Sequence, residues 1–342
     1  MLWFSLIEYW PRHRPSHIMT EPQISPSSKP LPQQDIVQQS LFIPYHGGQL
    51  HLRHIAPAQP NPSRSPVLML HGAMSNGRVF YSDSGRGFAC FLARSGFEVY
   101  VLDTAGRGLS TPKLSKGVDP GQGKVIREQL PLTQQFIARR HPGAPGVHWC
   151  GHSWGGVLMA SSLVRYPQLA AGVRSLLTFG SKRTIRVSSF KKWAMVDMFW
   201  NRLAPAIAKH KGFLPADALK LGMDNEGQAS LNESIDWVRG DWIDHDDGFD
   251  YSKAAKAHGI PPAWFIAGAR DTVLGNPSDV KDMMAECCAA DARFTLLSRA
   301  NGYRHDYDHA GMLTHMDAPS DHFGAVADWL LGFDVEGLRG AV

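Results

Sequence analysis

The sequence predicts an α/β protein in which a mostly parallel β-sheet carries helices on both faces. Short, continuously apolar runs, which are typical of strands covered on both sides, alternate along the chain with longer helical segments. In addition, a serine between glycines, "GHSWG" at residues 151–155, directly follows one apolar run and precedes a helical segment. A strand, a sharp turn and a helix in this order are the setting in which a G-x-S-x-G motif has catalytic meaning.

Composition limits the classes of function. The chain has 342 residues, 43% of them apolar and 19% charged, so a sizeable core is expected. The net charge of +4 is small for this length and is not gathered into long basic blocks, which argues against a nucleic-acid partner. Four cysteines show no metal-ligand spacing and predict a reduced, cytoplasmic protein. No cofactor and no metal are expected.

The first 37 residues are predicted to lie outside the folded region. Residues 1–18 are apolar at their start, but they lack a basic n-region and a cleavage site and are too short to span a bilayer. They are interpreted as a wrongly assigned start or a disordered leader, with a short membrane-touching anchor as the less favoured alternative. Residues 20–37 are rich in Pro, Ser and Gln, which predicts disorder. No stable membrane insertion is expected.

Residues 38–183 are predicted to form the first part of the sheet. "QSLFIPYHGGQLHLRHIA" reads as a hairpin around Gly47-Gly48, and "PVLMLHG" and "FEVYVLD" as buried strands with a helix between them. A helix over "VIREQLPLTQQFIARR" follows, disturbed in its first half by Pro131. The strand "GVHWCG", the helix "GGVLMASSLVRYP" and the strand "VRSLLTFG" complete this part.

Residues 261–335 are predicted to complete the sheet, and residues 184–260 to form a helical cap over it. The strands "PAWFIAGARD" and "RFTLLS" alternate with the helices "VKDMMAECCAA" and "HFGAVADWLLGF". The cap segment has no convincing strand and contains a helix, "SSFKKWAMVDMFWNRLAPAIAKHKG", that is rich in Trp, Phe and Met. Its apolar residues cover so wide an arc that the helix is expected to be buried on two sides or to line an apolar pocket. Plain core packing remains an equal alternative.

Ser153 is the candidate nucleophile of a catalytic triad. A serine on a strand-to-helix turn sits in strained backbone, where the residues two before and two after it must be small, as Gly151 and Gly155 are. The serine needs a base, and the base needs an orienting acid after a later strand. Asp271 follows "WFIAGAR", and His309 lies in a loop before the last helix. His305 and His315 are alternative bases.

Backbone donors and apolar side chains complete the predicted site. Trp154, the residue after the nucleophile, is expected to give one N–H to the oxyanion, and Ala73 the second, with Met74 as the alternative. Four apolar residues near these donors and in the cap are predicted to contact the substrate: Met74, Trp193, Phe199 and Trp200. Such a surface predicts a small hydrophobic ester or acyl substrate. The oligomeric state stays open.

Several motifs together resemble the α/β-hydrolase superfamily over roughly residues 38–333: "HGAMSNG", "VLDTAGRGLS", "GHSWGG", "AGARDTV" and "DYDHAGML". The resemblance implies an α/β-hydrolase fold, with a mostly parallel eight-stranded sheet flanked by helices and a cap inserted after strand six. It also implies triad roles for Ser153, Asp271 and His309. "FACFLARSGFEVYVLD" and the helical insertion resemble the lipase and esterase branch, including acid-lipase-like proteins. Many relatives have a small residue before the histidine and an acid two after it, where this chain has Asp308 and Gly311.

The predicted function is therefore hydrolysis of carboxylic esters through an acyl-enzyme. A serine at the nucleophile position argues against dehalogenases and epoxide hydrolases of this fold, which use aspartate there. Thioester hydrolysis, acyl transfer, C–C bond hydrolysis and cofactor-free haloperoxidase chemistry remain alternatives, because fold and triad do not separate them. A binding protein that keeps the fold without the chemistry is a second alternative. The histidines and aspartates at 305, 306, 308, 309 and 315 match no metal-ligand pattern.

Overall fold

The structure, a computed structural model, describes residues 35–339, apart from the side chains of Lys191, Ala194 and residues 335–339. The predicted leader lies almost wholly outside the described residues. The first strand begins at Ile36, two residues before the predicted start of the folded region. Cys90, Cys150 and Cys287 are buried and Cys288 is exposed, and all four thiols are free.

Within the described residues, eight strands form one sheet and two very short strands form a separate pair. Their bounds are β1 Ile36–Tyr45, β2 Gly48–Pro57, β3 Val67–Leu70, β4 Val99–Asp103, β5 Val147–His152, β6 Val173–Phe179, β7 Phe213–Leu214, β8 Glu226–Gly227, β9 Ala263–Gly268 and β10 Ala292–Leu297. The order in the main sheet is β1-β2-β4-β3-β5-β6-β9-β10, and β2 runs in the opposite direction to the other seven strands. The predicted mostly parallel, eight-stranded sheet is confirmed.

The helices of the described chain fall before, within and after the segment between β6 and β9. Their bounds are α1 Phe88–Arg94, α2 Gly121–Lys124, α3 Leu130–Arg140, α4 Trp154–Arg165, α5 Pro167–Ala170, α6 Phe190–Lys192, α7 Ala204–Lys211, α8 Gln228–Arg239, α9 Tyr251–His258, α10 Pro277–Glu286, α11 Gly311–Thr314, α12 Ala318–Asp321 and α13 Phe323–Arg339. Short 3₁₀ turns cover Gly77–Val79 and Arg299–Asn301, and π-helical segments cover Val125–Gln129 and Trp193–Leu203.

The sheet is apolar on both faces because alternate residues of its strands enter different clusters. In β3, Leu68 and Leu70 pack with α3 and α4, whereas Val67 and Met69 pack with α1 and α13. A parallel sheet covered in this way needs strands that are apolar at every position, which is the pattern the sequence shows. The sheet therefore holds the carboxyl ends of its parallel strands on a rigid base between two layers of helices.

Pro131 disturbs its helix as expected. Because proline has no N–H, Pro131 cannot donate to the carbonyl of Arg127, and the π-helical turn Val125–Gln129 comes directly before α3. The helical path nevertheless continues from Gly121 to Arg140.

The segment between β6 and β9 is mainly helical, but two sequence expectations about it need correction. It contains the antiparallel pair β7–β8, whose strands are too short to show an alternating pattern. Its aromatic helix is not buried on two sides, since Phe190 is 80%, Trp193 49% and Leu203 53% exposed. Trp193–Leu203 is a π-helix with i→i+5 bonds, so a face drawn with the α-helical spacing of three and four residues does not apply along it.

Candidate active site

Ser153 lies at the sharp junction between β5 and α4. Its φ of 53° and ψ of −126° fall in a region that side chains rarely occupy, so the turn is strained. Two backbone bonds hold it: the Ser153 N–H donates to the Phe179 carbonyl at 2.8 Å, and the Gly156 N–H donates to the Ser153 carbonyl at 3.1 Å. The hydroxyl is thereby presented beyond the end of the sheet.

The glycines on either side of Ser153 allow a close approach of backbone to backbone. A β-carbon at Gly151 would lie 2.3 Å from the Gly156 Cα, and one at Gly155 would lie 2.4 Å from the carbonyl oxygens of both Leu70 and His71. Real β-carbons do not approach backbone atoms so closely. The start of α4 therefore rests directly on the end of β3, which explains the spacing of the motif.

Asp271 and His309 form a hydrogen-bonded pair at the same edge of the sheet. Asp271 follows β9, His309 lies between β10 and α11, and the His309 Nδ1 is 2.5 Å from the Asp271 Oδ2. Burial alone would raise the Asp271 pKa. The hydrogen bond and charge of His309, with the Gly275 N–H and the Lys182 charge, hold the Asp271 pKa below its ordinary value. Asp271 is thus an ionised acceptor that fixes the Nδ1–H tautomer of His309.

The loop that carries His309 is joined to the turn that carries Ser153. His152, the residue before Ser153, donates from Nε2 to the His309 carbonyl at 3.1 Å, and the two imidazole rings are 4.8 Å apart. A β-carbon at Gly180, just after β6, would lie 2.9 Å from the His309 Nδ1. The geometry brings His309, Asp271 and the Ser153 turn together above β5 and β6.

The alternative bases His305 and His315 lie in a different cluster. His305 Nε2 is 2.7 Å from the Asp317 Oδ2, and the His305 and His315 rings are 4.2 Å apart. The ligand atoms of His305, His315 and Asp317 all lie within 4.8 Å of one another, which is close enough to hold a metal ion. The cluster of histidines and aspartates considered in the sequence between residues 305 and 315 does not include Asp317, which lies just beyond it. His305 makes its carboxylate contact with Asp317, while Asp271 bonds to His309.

The donors expected for an oxyanion lie beside a small cavity. Gly72, Ala73 and Trp154 line it, and Trp154 is the first residue of α4, where N–H groups have no partner within the helix. Met74 has a φ of 50°, and its N–H donates to the Glu226 Oε2 at 2.7 Å. This donor is already used, so the geometry favours Ala73 over Met74 as the second donor.

The cavity measures about 30 Å³ and has a polar wall that the sequence did not reveal. Arg107 and Glu226, which line it, form a buried ion pair between the loop after β4 and strand β8. Gln122 of α2 also lines it and accepts from the Trp154 indole N–H at 2.8 Å. Arg107 lies within the motif "DTAGRGLS", which was noted in the sequence without a role for the arginine. No local pattern marks Gln122 or Glu226.

Asp103 fixes the loop that carries Arg107. This buried carboxylate accepts from the Gly77 N–H at 2.7 Å and the Leu109 N–H at 2.9 Å and is 2.8 Å from the His51 Nδ1. Burial would raise the Asp103 pKa, but these hydrogen bonds and the nearby His71 hold the pKa below its ordinary value. The loops after β3 and β4 therefore both donate hydrogen bonds to the carboxylate of Asp103.

The apolar residues predicted to contact substrate are divided between two places. Met74, Phe199 and Trp200 pack against a buried cluster of the cap. That cluster consists of Ala204, Ala208, Leu214, Ala216, Leu231 and Ile235. Trp193 is largely exposed and packs on Phe190, with the ring centroids 5.6 Å apart. Neither Trp193, Phe199 nor Trp200 lines the cavity beside Trp154.

Burial also tunes the titratable groups around this edge of the sheet. It lowers the pKa of His152 to about 3 and that of His71 to about 4, so both are neutral at pH 7. It lowers the Lys182 pKa to about 8, although the charges of Asp279 and Asp271 oppose the shift. It raises the Glu233 pKa to about 7, and nearby aspartates add to that rise against the opposing Gln122 N–H bond.

Comparisons with known proteins agree with this fold. A family model described as "alpha/beta hydrolase fold" matches residues 65–217, which include the Ser153 turn. A soluble variant of the monoglyceride lipase from Saccharomyces cerevisiae superposes with a TM-score of 0.63 at 17% identity, covering 90% of this chain and 99% of that one. Residues 65–217 thus match the α/β-hydrolase family model, and the described chain has the α/β-hydrolase fold.

Two further similarities are to peptidases. The proline iminopeptidase of Lactiplantibacillus plantarum is 25% identical over 153 residues, which are 44% of this chain and 46% of that protein. The match therefore spans about half the length of that relative. The solved proline iminopeptidase from Mycobacterium smegmatis superposes with a TM-score of 0.52 at 18% identity, covering 87% of this chain and 100% of that one. At 18% identity, this superposition shows a shared fold alone.

Among residues 35–339, no helix combines the length and the apolar character that crossing a bilayer requires.

The contact at Gly155 predicts a large effect of adding one methyl group. Gly155→Ala should lower the free energy of unfolding by at least about 2 kcal/mol, because the new β-carbon meets two carbonyl oxygens. Gly324→Ala is the control: nothing lies within 4 Å of its β-carbon, so helix propensity should make it neutral or slightly stabilising. Urea unfolding measures both. A Gly155→Ala variant as stable as Gly324→Ala would contradict the close approach.

The raised pKa of Glu233 predicts a pH-dependent loss of stability. Between the ordinary glutamate pKa of 4.5 and about 7, the folded protein keeps a proton that the unfolded chain releases, so stability falls as the pH rises. Glu233→Gln is neutral at every pH and keeps an oxygen for the Gln122 N–H. Between pH 5 and 8 the variant should gain about 1 to 3 kcal/mol over the parent in urea unfolding. A difference that does not change with pH would argue against a protonated Glu233.

Proposed function

We propose that the protein is a serine hydrolase that cleaves carboxylic esters through an acyl-enzyme, with Ser153, His309 and Asp271 as its catalytic triad. The observation that carries the proposal is the hydrogen-bonded Asp271–His309 pair, whose loop is tied by His152 to the strained turn of Ser153. An acid that orients an imidazole next to a serine on such a turn is the arrangement that activates a hydroxyl.

In the proposed reaction each group has one role. The His309 Nε2 takes the proton of the Ser153 hydroxyl as the oxygen attacks the ester carbonyl, while Asp271 stabilises the imidazolium. The backbone N–H groups of Ala73 and Trp154 donate to the oxyanion, and the dipole of α4 adds to this stabilisation. His309 then gives its proton to the leaving alcohol, and water, activated in the same way, releases the acid from Ser153.

An apolar part of the ester would lie against the side of the site formed by Met74, Phe199 and Trp200. Met74 follows the proposed oxyanion donor Ala73 and packs against the cap cluster with the two aromatic residues. This contact supports a small hydrophobic ester or acyl compound as the partner. The four free thiols support a cytoplasmic location.

Cleavage of an amide bond is the second candidate, and the specific observation in its favour is the matched proline iminopeptidase. The same triad would attack an amide carbonyl. Rates on p-nitrophenyl esters and on the p-nitroanilide of proline separate the two candidates, because esterase activity alone leaves the anilide intact.

Removing the nucleophile should abolish the reaction. Ser153→Ala should lower kcat for p-nitrophenyl butanoate by at least about 1000-fold and prevent labelling by a fluorophosphonate probe, because only the attacking hydroxyl is lost. The exposed Ser63→Ala serves as the control and should retain both. Labelling that persists in Ser153→Ala would assign the nucleophile to another residue.

The two candidate histidines should respond very differently. His309→Gln should lower kcat by at least about 1000-fold, since it removes the base bonded to Asp271. His305→Gln breaks only the contact with Asp317 and should lower kcat less than about threefold. Steady-state kinetics on one ester decides between them, and the opposite ranking would move the base to His305.

A further inference from the structure

Two buried nitrogen donors in the wall of the cavity beside Trp154 have no hydrogen-bond partner among the described residues. They are the Nη1 of Arg107 and the Nε2 of Gln122. The two residues are 7% and 3% exposed, respectively, so bulk water does not satisfy these groups. A buried donor without an acceptor destabilises the folded protein, and an acceptor that enters the cavity removes this penalty.

The hydrogen bond from Trp154 shows which atom of the Gln122 amide has no partner. An indole N–H only donates, so the Trp154 Nε1 at 2.8 Å must face the amide oxygen of Gln122. The amide NH₂ is therefore the group left over. Because Trp154 also carries a proposed oxyanion donor, one residue joins this NH₂ to the proposed position of the scissile carbonyl.

The two carboxylates in the cavity wall, in contrast, already have partners. One oxygen of Glu226 receives the Arg107 guanidinium and the other receives the Met74 N–H at 2.7 Å. The two oxygens of Asp119 receive the N–H groups of Gly121 at 3.2 Å and Ala229 at 2.5 Å. Among these side chains of the cavity wall, the groups without a partner are therefore donors, which favours an acceptor as the ligand.

Charge and size restrict what that acceptor is. Glu226 offsets the charge of Arg107, and Asp119 adds one negative charge to the wall, so an anionic group is disfavoured. The volume of about 30 Å³ holds one or two water-sized groups rather than an alkyl chain. An uncharged oxygen, as in an ether, ketone or hydroxyl, fits both restrictions.

We propose that this cavity is a polar subsite, in which Arg107 and Gln122 bind an uncharged oxygen that the substrate carries close to its scissile ester. The proposal rests on the proposed function and narrows its substrate class: the preferred ester combines an apolar portion with an oxygen within a few bonds of the reacting carbonyl. A purely hydrocarbon ester leaves both donors unpaired and is the poorer substrate.

The test compares esters that differ by one CH₂-to-O exchange. p-Nitrophenyl methoxyacetate and p-nitrophenyl butanoate differ in this way on the acyl side, and 2-methoxyethyl acetate and butyl acetate on the alcohol side. Each kcat/KM is divided by the rate constant for hydroxide-catalysed hydrolysis, which removes the intrinsic reactivity of the oxygen-bearing ester. The wild-type protein should prefer the oxygen-bearing ester by about tenfold or more in one of the two pairs.

Two variants connect the preference to Gln122. Gln122→Glu keeps an oxygen for the Trp154 indole but removes the NH₂ donor, and Gln122→Met removes both polar atoms without adding charge. In each variant the tenfold preference should fall to about one. Gln135→Met, on the exposed side of α3, makes the same chemical change away from the cavity and should keep the preference.

The same pairs bound to Ser153→Ala separate this proposal from the proposed function. Dissociation constants from calorimetry compare the esters without any chemistry. Tighter binding of the oxygen-bearing ester that is lost in Ser153→Ala/Gln122→Met supports the subsite, even where the wild type proves inactive on esters and the proposed function fails. Equal normalised rates and equal dissociation constants within both pairs overturn the subsite, and the cavity is then a site for bound water only.

Discussion

The contact between the start of α4 and the end of β3 is the constraint on which the site depends. Because Gly155 has no side chain, the helix rests directly on the carbonyl oxygens of Leu70 and His71. This contact brings the start of α4 next to the loop of Gly72 and Ala73, and the strained backbone of Ser153 lies at the same junction. A sheet covered on both faces supplies the rigidity that keeps such strain from relaxing.

Much of the fold and of the candidate site could be predicted because the information is local. A continuously apolar run such as Val67–Leu70 marks a strand buried on both faces, and the glycines around Ser153 mark a sharp turn. Asp271 and His309 could be proposed because parallel strands gather their following residues at one edge. Their contact at 2.5 Å, however, joins residues 38 apart and is visible only in the structure.

The parts that could not be predicted depend on distant partners or on a changed helical period. The ion pair of Arg107 with Glu226 joins residues 119 apart, and neither side chain has a local signal for the other. The apolar face of residues 193–203 could not be predicted, because the prediction assumes 3.6 residues per turn and this segment is a π-helix. Trp193, which was expected in a pocket, lies partly in solvent.

Trp154 contacts two parts of the candidate site, one through its backbone and the other through its side chain. Its backbone N–H begins α4 next to the proposed nucleophile Ser153, and its indole N–H donates to the amide of Gln122 in the cavity wall. Any shift of this residue therefore displaces both groups together. Under the roles proposed for these two groups, a change that moves Trp154 alters the reaction rate and the choice of substrate together.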